Sequence, residues 1–146
     1  MPRAVLVPAL FALASVAVVA SAQDPATDLK VMTGQWTVVK AEFGGKDATA
    51  VFKGVDLRVR PDGSYTVKIG TVTDEGTVAL DPAKTPRQMD ITGKAGPNAG
   101  KTHKTIYKLD GDTLTVCYEL GGGDRPAEFK TKAGTQQFLA EYKRAK

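Results

Sequence analysis

The sequence predicts an all-β protein: an antiparallel barrel of eight or nine short strands, preceded by a short helical turn. Three observations predict it. Beyond Gly34 the apolar residues recur with period two, as in Val55, Leu57, Val59 set against Asp56, Arg58, Arg60, and in Leu114, Val116, Tyr118, Leu120. The runs are separated by compact Gly-, Asp- and Pro-containing segments of the kind that turn hairpins. No stretch is both long and helical enough for a crossover helix, which argues against a parallel sheet. Strands with one apolar face must then close into a barrel or pack as a sandwich.

The first element is expected to be an export signal. Met1-Pro2-Arg3 gives a short positive start, Ala4 to Ala20 is apolar apart from Pro8 and Ser15, and Ala20-Ser21-Ala22 fits the small-x-small rule of signal peptidase. The run is Ala-rich, carries Pro8 and is at the short edge of what spans a bilayer, so a cleaved signal over 1–22 is preferred to a membrane anchor. No cysteine follows to carry a lipid. Residues 1–22 hold 17 of the 61 hydrophobic residues, leaving 44 of 124, about 35%, for a single domain over 23–146. That remainder has 19 basic and 16 acidic residues, a net charge of +3, too slight by itself to imply nucleic acid. The expected destination is the periplasm, the cell envelope or the exterior.

The domain opens with a polar linker, Gln23 to Ala26. Thr27 to Met32 has a capping residue and apolar spacing for one or two helical turns, stopped by Gly34. Strands are expected at Gln35–Phe43, Val51–Arg60, Ser64–Ile69, Gly76–Leu80, Gln88–Thr92, His103–Leu109, Asp112–Leu120, Ala127–Lys130 and Gln136–Arg144. Turns are expected at Pro61-Asp62-Gly63-Ser64, Asp74-Glu75-Gly76, Asp110-Gly111-Asp112 and Gly121-Gly122-Gly123-Asp124.

Two features favour a barrel of the lipocalin (calycin) kind. A short helix leads into Gly34-Gln35-Trp36, and the last strand ends in Tyr142-Lys143-Arg144. This resembles the lipocalin arrangement in which the Trp of a G-x-W signature plugs one barrel end beneath a basic side chain from the last strand, which is why Gly34, Trp36 and Arg144 are taken as barrel-end residues. An aromatic plug under a guanidinium gains a cation–π contact while the charge stays near water. More of the chain, about Val31 to Arg144, resembles a small lipocalin-like domain of unknown function abundant in planctomycete bacteria. The matching stretches are Gly34-Gln35-Trp36-Thr37-Val38-Val39 with Glu42; Leu80-Asp81-Pro82-Ala83-Lys84-Thr85-Pro86 with Met89-Asp90-Ile91-Thr92; Gly96-Pro97 with Gly100-Lys101-Thr102; Ile106 to Leu114 leading to Cys117; and Arg125-Pro126 with Phe129. The resemblance implies a secreted or envelope β-barrel and brings no catalytic residues with it.

Chemistry-bearing residues are scarce. Ser64 and His103 are the only serine and histidine after residue 22, the first in a tight turn and the second read as a solvated loop-edge residue, so no triad is expected. One His and one Cys cannot make a structural zinc site, and Asp110-Gly111-Asp112 is what a hairpin turn selects without calcium. Gly96 to Thr102 ends like a phosphate loop, but its first glycine is one place late and a strand follows where a helix is required. Cys117, the sole cysteine, excludes an internal disulfide and reads as a small hydrophobe on a strand. Lys94, Lys101, His103, Lys104 and Lys108 lack interleaved aromatics, so no nucleic-acid platform is expected.

One strand raises a question. If Trp36 points inward, period two sends Val38, Lys40 and Glu42 the same way, placing two charges where a barrel wants apolar groups. Either the strand bulges after Val39 and both are solvated, or they line the mouth of a cavity that Tyr118 and Phe129 wall, with Lys40 meeting an anionic head group. The function expected is a non-enzymatic, monomeric exported barrel without metal or cofactor that binds a small apolar or amphipathic ligand. The alternative is a filled barrel that acts through its surface. Mass spectrometry of the exported protein should find a chain beginning at Gln23; retention of Met1 would refute cleavage.

Overall fold

The computed structural model describes residues 24–146, so the expected export segment lies outside it. Helix α1 (Pro25–Met32) leads into β1 (Gly34–Phe43), the two-residue β2 (Lys46–Asp47) and a helical turn α2 (Thr49–Phe52). Then follow β3 (Asp56–Val59), β4 (Ser64–Ile69), β5 (Val72–Asp81), β6 (Arg87–Ala95), β7 (Thr102–Asp110), β8 (Thr113–Glu119) and β9 (Gln137–Arg144). Every pairing between these strands is antiparallel, and β1 pairs with both β3 and β9, which closes β1 and β3–β9 into an eight-stranded barrel with β2 as an extra strand. The barrel expected from the alternation is the one observed.

One end is closed by α1. Its cap is Asp24, whose carboxylate accepts the Ala26 N–H at 3.0 Å with Pro25 in the first turn, so the helix starts two residues before Thr27. Met32 and Asp28 are buried beneath the helix. A buried carboxylate needs partners, and Asp28 accepts the Tyr107 hydroxyl at 2.6 Å and Arg87 at 3.1 Å. Trp36 fills the space inside, fully buried, its Nε1 donating to the Met32 carbonyl at 2.8 Å. Arg144 lies 4.2 Å over the Trp36 ring and donates to the carbonyls of Val31 (2.6 Å) and Thr33 (3.1 Å). A helix leaves its last carbonyls without partners, and a guanidinium there satisfies them and complements the helix dipole. Gly34 makes the approach possible: its φ is +135°, and a Cβ there would come within 2.9 Å of Arg144.

The charge problem in the first strand is resolved by a β-bulge between Val38 and Lys40 in the β1–β9 ladder. The extra residue flips the faces. Trp36, Val38, Ala41 and Phe43 point inward, and Lys40 and Glu42 point out.

Three expectations are corrected. Val51–Arg60 is not one strand: Asp47 accepts the Thr49 N–H at 2.9 Å, the α2 turn follows, and Gly54 at φ +87° redirects the chain into β3. Val51 and Phe52 favour strands by type, but packing of Phe52 on Phe138, ring centres 4.7 Å apart, overrides that preference. Asp74-Glu75-Gly76 is no turn; it lies inside β5, and the chain reverses at Gly70 and Thr71. Ala127–Lys130 is no strand but part of a long connection, residues 120–136, that crosses the outside of the barrel.

That connection makes a second, external core. Ile106, Cys117 and Leu139 sit side by side on the outer face through the β7–β8 and β8–β9 registers, and the first two are almost fully buried. Arg125 anchors the connection to the Thr105 carbonyl (2.8 Å) and Asp90 (2.6 Å), and Thr131 donates to Glu42 at 2.6 Å.

Arg144→Ala should destabilise by about 2–3 kcal/mol through loss of the charged hydrogen bonds and the ring contact. Gly34→Ala should cost about 1–3 kcal/mol through backbone strain. In denaturant titrations the double variant should lose less than the sum of the two, because removing Arg144 relieves the contact with the new Cβ; strict additivity would show that the two residues are uncoupled.

Candidate functional site

The end opposite α1 is open, and beneath it the barrel holds a cavity of about 210 Å³. Period two explains its lining: inward positions on β3, β4 and β5 are Leu57 and Val59, Val67 and Ile69, Val72 and Val78, and across the barrel stand Leu114 and Val116 of β8. Met32 forms the floor. Phe43, Phe52 and Phe138 wall one side of the mouth, the first two each in ring contact with Phe138.

The opposite wall is polar. Asp74 points inward from β5 and is buried, its carboxylate accepting the Tyr65 hydroxyl (3.1 Å), the Asn98 N–H (3.2 Å) and the Asn98 side-chain amide (3.0 Å). A carboxylate only accepts, so the Asn98 NH2 must face it and the amide oxygen must face His103 at 3.1 Å. His103 Nε2 therefore carries the proton and donates. Among the described residues its Nδ1 has no partner, and it is not sealed from solvent. Asn98 reaches this position because the 96–101 loop folds back over the mouth, with Ala99 bridged to Gly93; a Cβ on Gly93 would strike the Asn98 carbonyl at 2.0 Å.

Deeper in the cavity the hydroxyls of Tyr118 and Tyr142 meet at 2.7 Å. Two phenols carry two hydrogens and the pair uses one, so one O–H is left over beside the cavity. Burial pushes the Tyr142 phenol up to about 12 and raises that of Tyr118 well above its ordinary range. Burial, reinforced by the Asp74 charge, also raises Tyr65. All three are neutral donors or acceptors at physiological pH.

Of the residues considered from sequence as cavity lining, the structure brings only Tyr118 to the cavity. Lys40 is exposed on the outer face, Glu42 tethers Thr131 there, and Phe129 packs outside with the Lys108 ammonium 4.8 Å from its ring centre. Gly34, Trp36 and Arg144 meet at the closed end. Ser64 opens β4 on the phase opposite the inward Tyr65, so its side chain does not share the interior with His103. His103 is not a solvated loop-edge residue: it is buried, pointing inward with Thr105 and Tyr107. Counting back by twos from Tyr107 would have found it. The same phase through Val72, Gly76 and Val78 marks Asp74 as inward. Among the described residues no group of three or more His, Cys, Asp or Glu side chains could hold a metal ion, and no helix is long and apolar enough to cross a membrane.

No family model matches the chain, and no curated protein matches it. Among solved structures, a DUF4847 family protein from Bacteroides vulgatus aligns with 17% identity and a TM-score of 0.48, over 78% of this chain and 94% of that one.

Cys117 lies outside the cavity, its thiol donating weakly to the Lys130 carbonyl at 3.6 Å. Burial pushes the thiol up to about 11 from an ordinary 9.0, with Glu42 and Glu119 adding to the rise. The folded state thus holds its proton more tightly than the unfolded chain. The resulting stabilisation is complete below about pH 9 and fades as pH rises towards 11, and Tyr142 extends the loss towards 12. Denaturant midpoints should stay level from pH 7 to about 9 and fall above it. Cys117→Val should remove the lower part of that fall, and the native thiol should resist labelling until the protein unfolds; rapid native labelling would contradict its burial.

Proposed function

We propose that this protein is an exported, non-enzymatic binding barrel that takes one small amphipathic molecule into its cavity. The observation that carries the reading is an apolar cavity with two uncommitted polar groups at its wall, the remaining O–H of the Tyr118–Tyr142 pair and Nδ1 of His103. Ligand sites have this composition: apolar lining for affinity, a few placed polar atoms for orientation. The ligand's apolar body lies against Leu57, Val67 and Val116, and an oxygen on it accepts from the tyrosine pair. A volume of about 210 Å³ is below the usual range of about 300–1,000 Å³, which selects a short chain or a single ring system. The cavity weighs against a wholly filled barrel. Export, and kinship with the lipocalin-like domain of planctomycete bacteria, belong to this proposal and rest on the sequence features described above.

A thermal-shift panel of short fatty acids, alcohols and monocyclic phenols should raise the melting midpoint, since a ligand at 100 times its Kd stabilises by about 2.7 kcal/mol. Val78→Phe, which fills the cavity, should keep the fold and lose the shift. Replacing both Tyr118 and Tyr142 by Phe should weaken oxygenated ligands more than hydrocarbons. Equal shifts in Val78→Phe and the unaltered protein would sink the proposal.

A further inference from the structure

The described residues contain five large apolar side chains exposed to solvent: Val31, Phe43, Val51, Ile69 and Val72. Their placement is lopsided. Val31 is on α1 at the closed end, and the other four ring the open mouth. Phe43 ends β1, Val51 stands on α2 with 74% of its surface exposed, and Ile69 and Val72 flank the β4–β5 turn. Phe43, Ile69 and Val72 also face the cavity, so part of their exposure belongs to its rim, but Val51 has no such role. Val51 touches no core cluster, and a hairpin tip can be built from polar residues without loss of packing.

The charged residues at the same end point to an occupant. Lys46, Lys53, Lys68, Lys94 and Lys101 are all exposed around this mouth, on β2, after α2, on β4, on β6 and in the 96–101 loop, and none is ion-paired with a carboxylate. Asp47, Asp56, Asp74 and Glu75 are the acids set among them; Asp56 is engaged by the Thr37 hydroxyl, and the buried Asp74 by Tyr65 and Asn98. Apolar tips with lysines set around them fit an interface where tips enter acyl chains and ammonium groups meet anionic head groups. A protein partner would more often meet aromatic and arginine anchors on a patch depleted of lysine.

We infer that the open end of the barrel docks reversibly on anionic lipid bilayers, with Val51, Ile69, Val72 and Phe43 entering the interface and the surrounding lysines holding the head groups. The contact is peripheral, made by side-chain tips of a folded barrel. It places the cavity mouth against the bilayer whatever the cavity holds, so it stands apart from the identity of a ligand.

Sedimentation with vesicles tests it. The protein should bind phosphatidylglycerol–phosphatidylcholine vesicles, bind pure phosphatidylcholine at least tenfold more weakly, and be released by high salt. Each lysine near such a surface contributes about fivefold, so Lys53→Glu with Lys68→Glu should lower affinity at least tenfold. Val51→Asp with Ile69→Asp should do the same, while Val31→Asp at the closed end leaves binding unchanged. These positions are exposed, and unaltered melting curves will show that the variants fold; should the Ile69 change disturb the turn, Val51→Asp alone serves. Absence of binding to the anionic vesicles, equal binding to neutral ones, or binding that survives the mouth substitutions would overturn the inference. So would a dimer in sedimentation that Val51→Asp dissolves while vesicles are ignored, which would give the patch to a second copy.

Discussion

Everything in this molecule depends on the seam between β1 and β9. The first and last strands of the barrel meet along seven residue pairs from Trp36↔Arg144 to Phe43↔Phe138, and without that ladder the sheet would be an open meander with two bare edges. The seam cannot run regularly, because β1 carries Trp36 and Val38 in one phase and Ala41 and Phe43 in the other. The bulge reconciles them. A single extra residue lets the same strand plug the closed end with indole and line the open end with phenyl, and it turns Lys40 and Glu42 to the outside, where Glu42 pins the long connection. Closure, plug, mouth and external core all follow from where one residue is inserted.

The interior shows two regimes of polarity. At the closed end, Asp28, Tyr107, Arg87 and the Trp36 indole are consumed by one another and by backbone carbonyls, which gives a rigid stopper. At the open end the chain also buries polar groups, and the Asp74 carboxylate is fully engaged, but His103 Nδ1 and one tyrosine hydrogen are left over beside apolar space. Buried polar groups are tolerated when satisfied. The proposed ligand site rests on this contrast, a set that is satisfied at one end and incomplete at the other.

How much of this was legible in the sequence follows from which forces are local. Strand alternation, the turn at Pro61 to Ser64 and the Asp110 to Asp112 hairpin are local, and they were readable; so was the pairing of a G-x-W start with a basic last strand. The α2 turn was not, because Val51 and Phe52 carry strand preference and only the contact with Phe138, eighty-six residues away, makes them helical. Asp74-Glu75-Gly76 has the residue types of a turn, and what makes Asp74 tolerable inside the barrel, Asn98 on a folded-back loop, is non-local as well. The cavity wall is therefore the least legible part: of its polar members the sequence points only Tyr118 towards a ligand, and His103, expected at a solvated loop edge, has a strand phase that places it inside.

The two-residue strand β2 has a consequence for the life of the protein in concentrated surroundings. Closing the barrel removes the sheet edges from β1 and β3–β9, so the outer side of β2 is the unpaired edge left among the described residues. It is only Lys46 and Asp47 long, both exposed and oppositely charged. An incoming strand would find too few backbone groups to pair with and would have to strip water from two charges to use them. A chain so rich in β-strand thus offers, among its described residues, almost no template for growth of a foreign sheet.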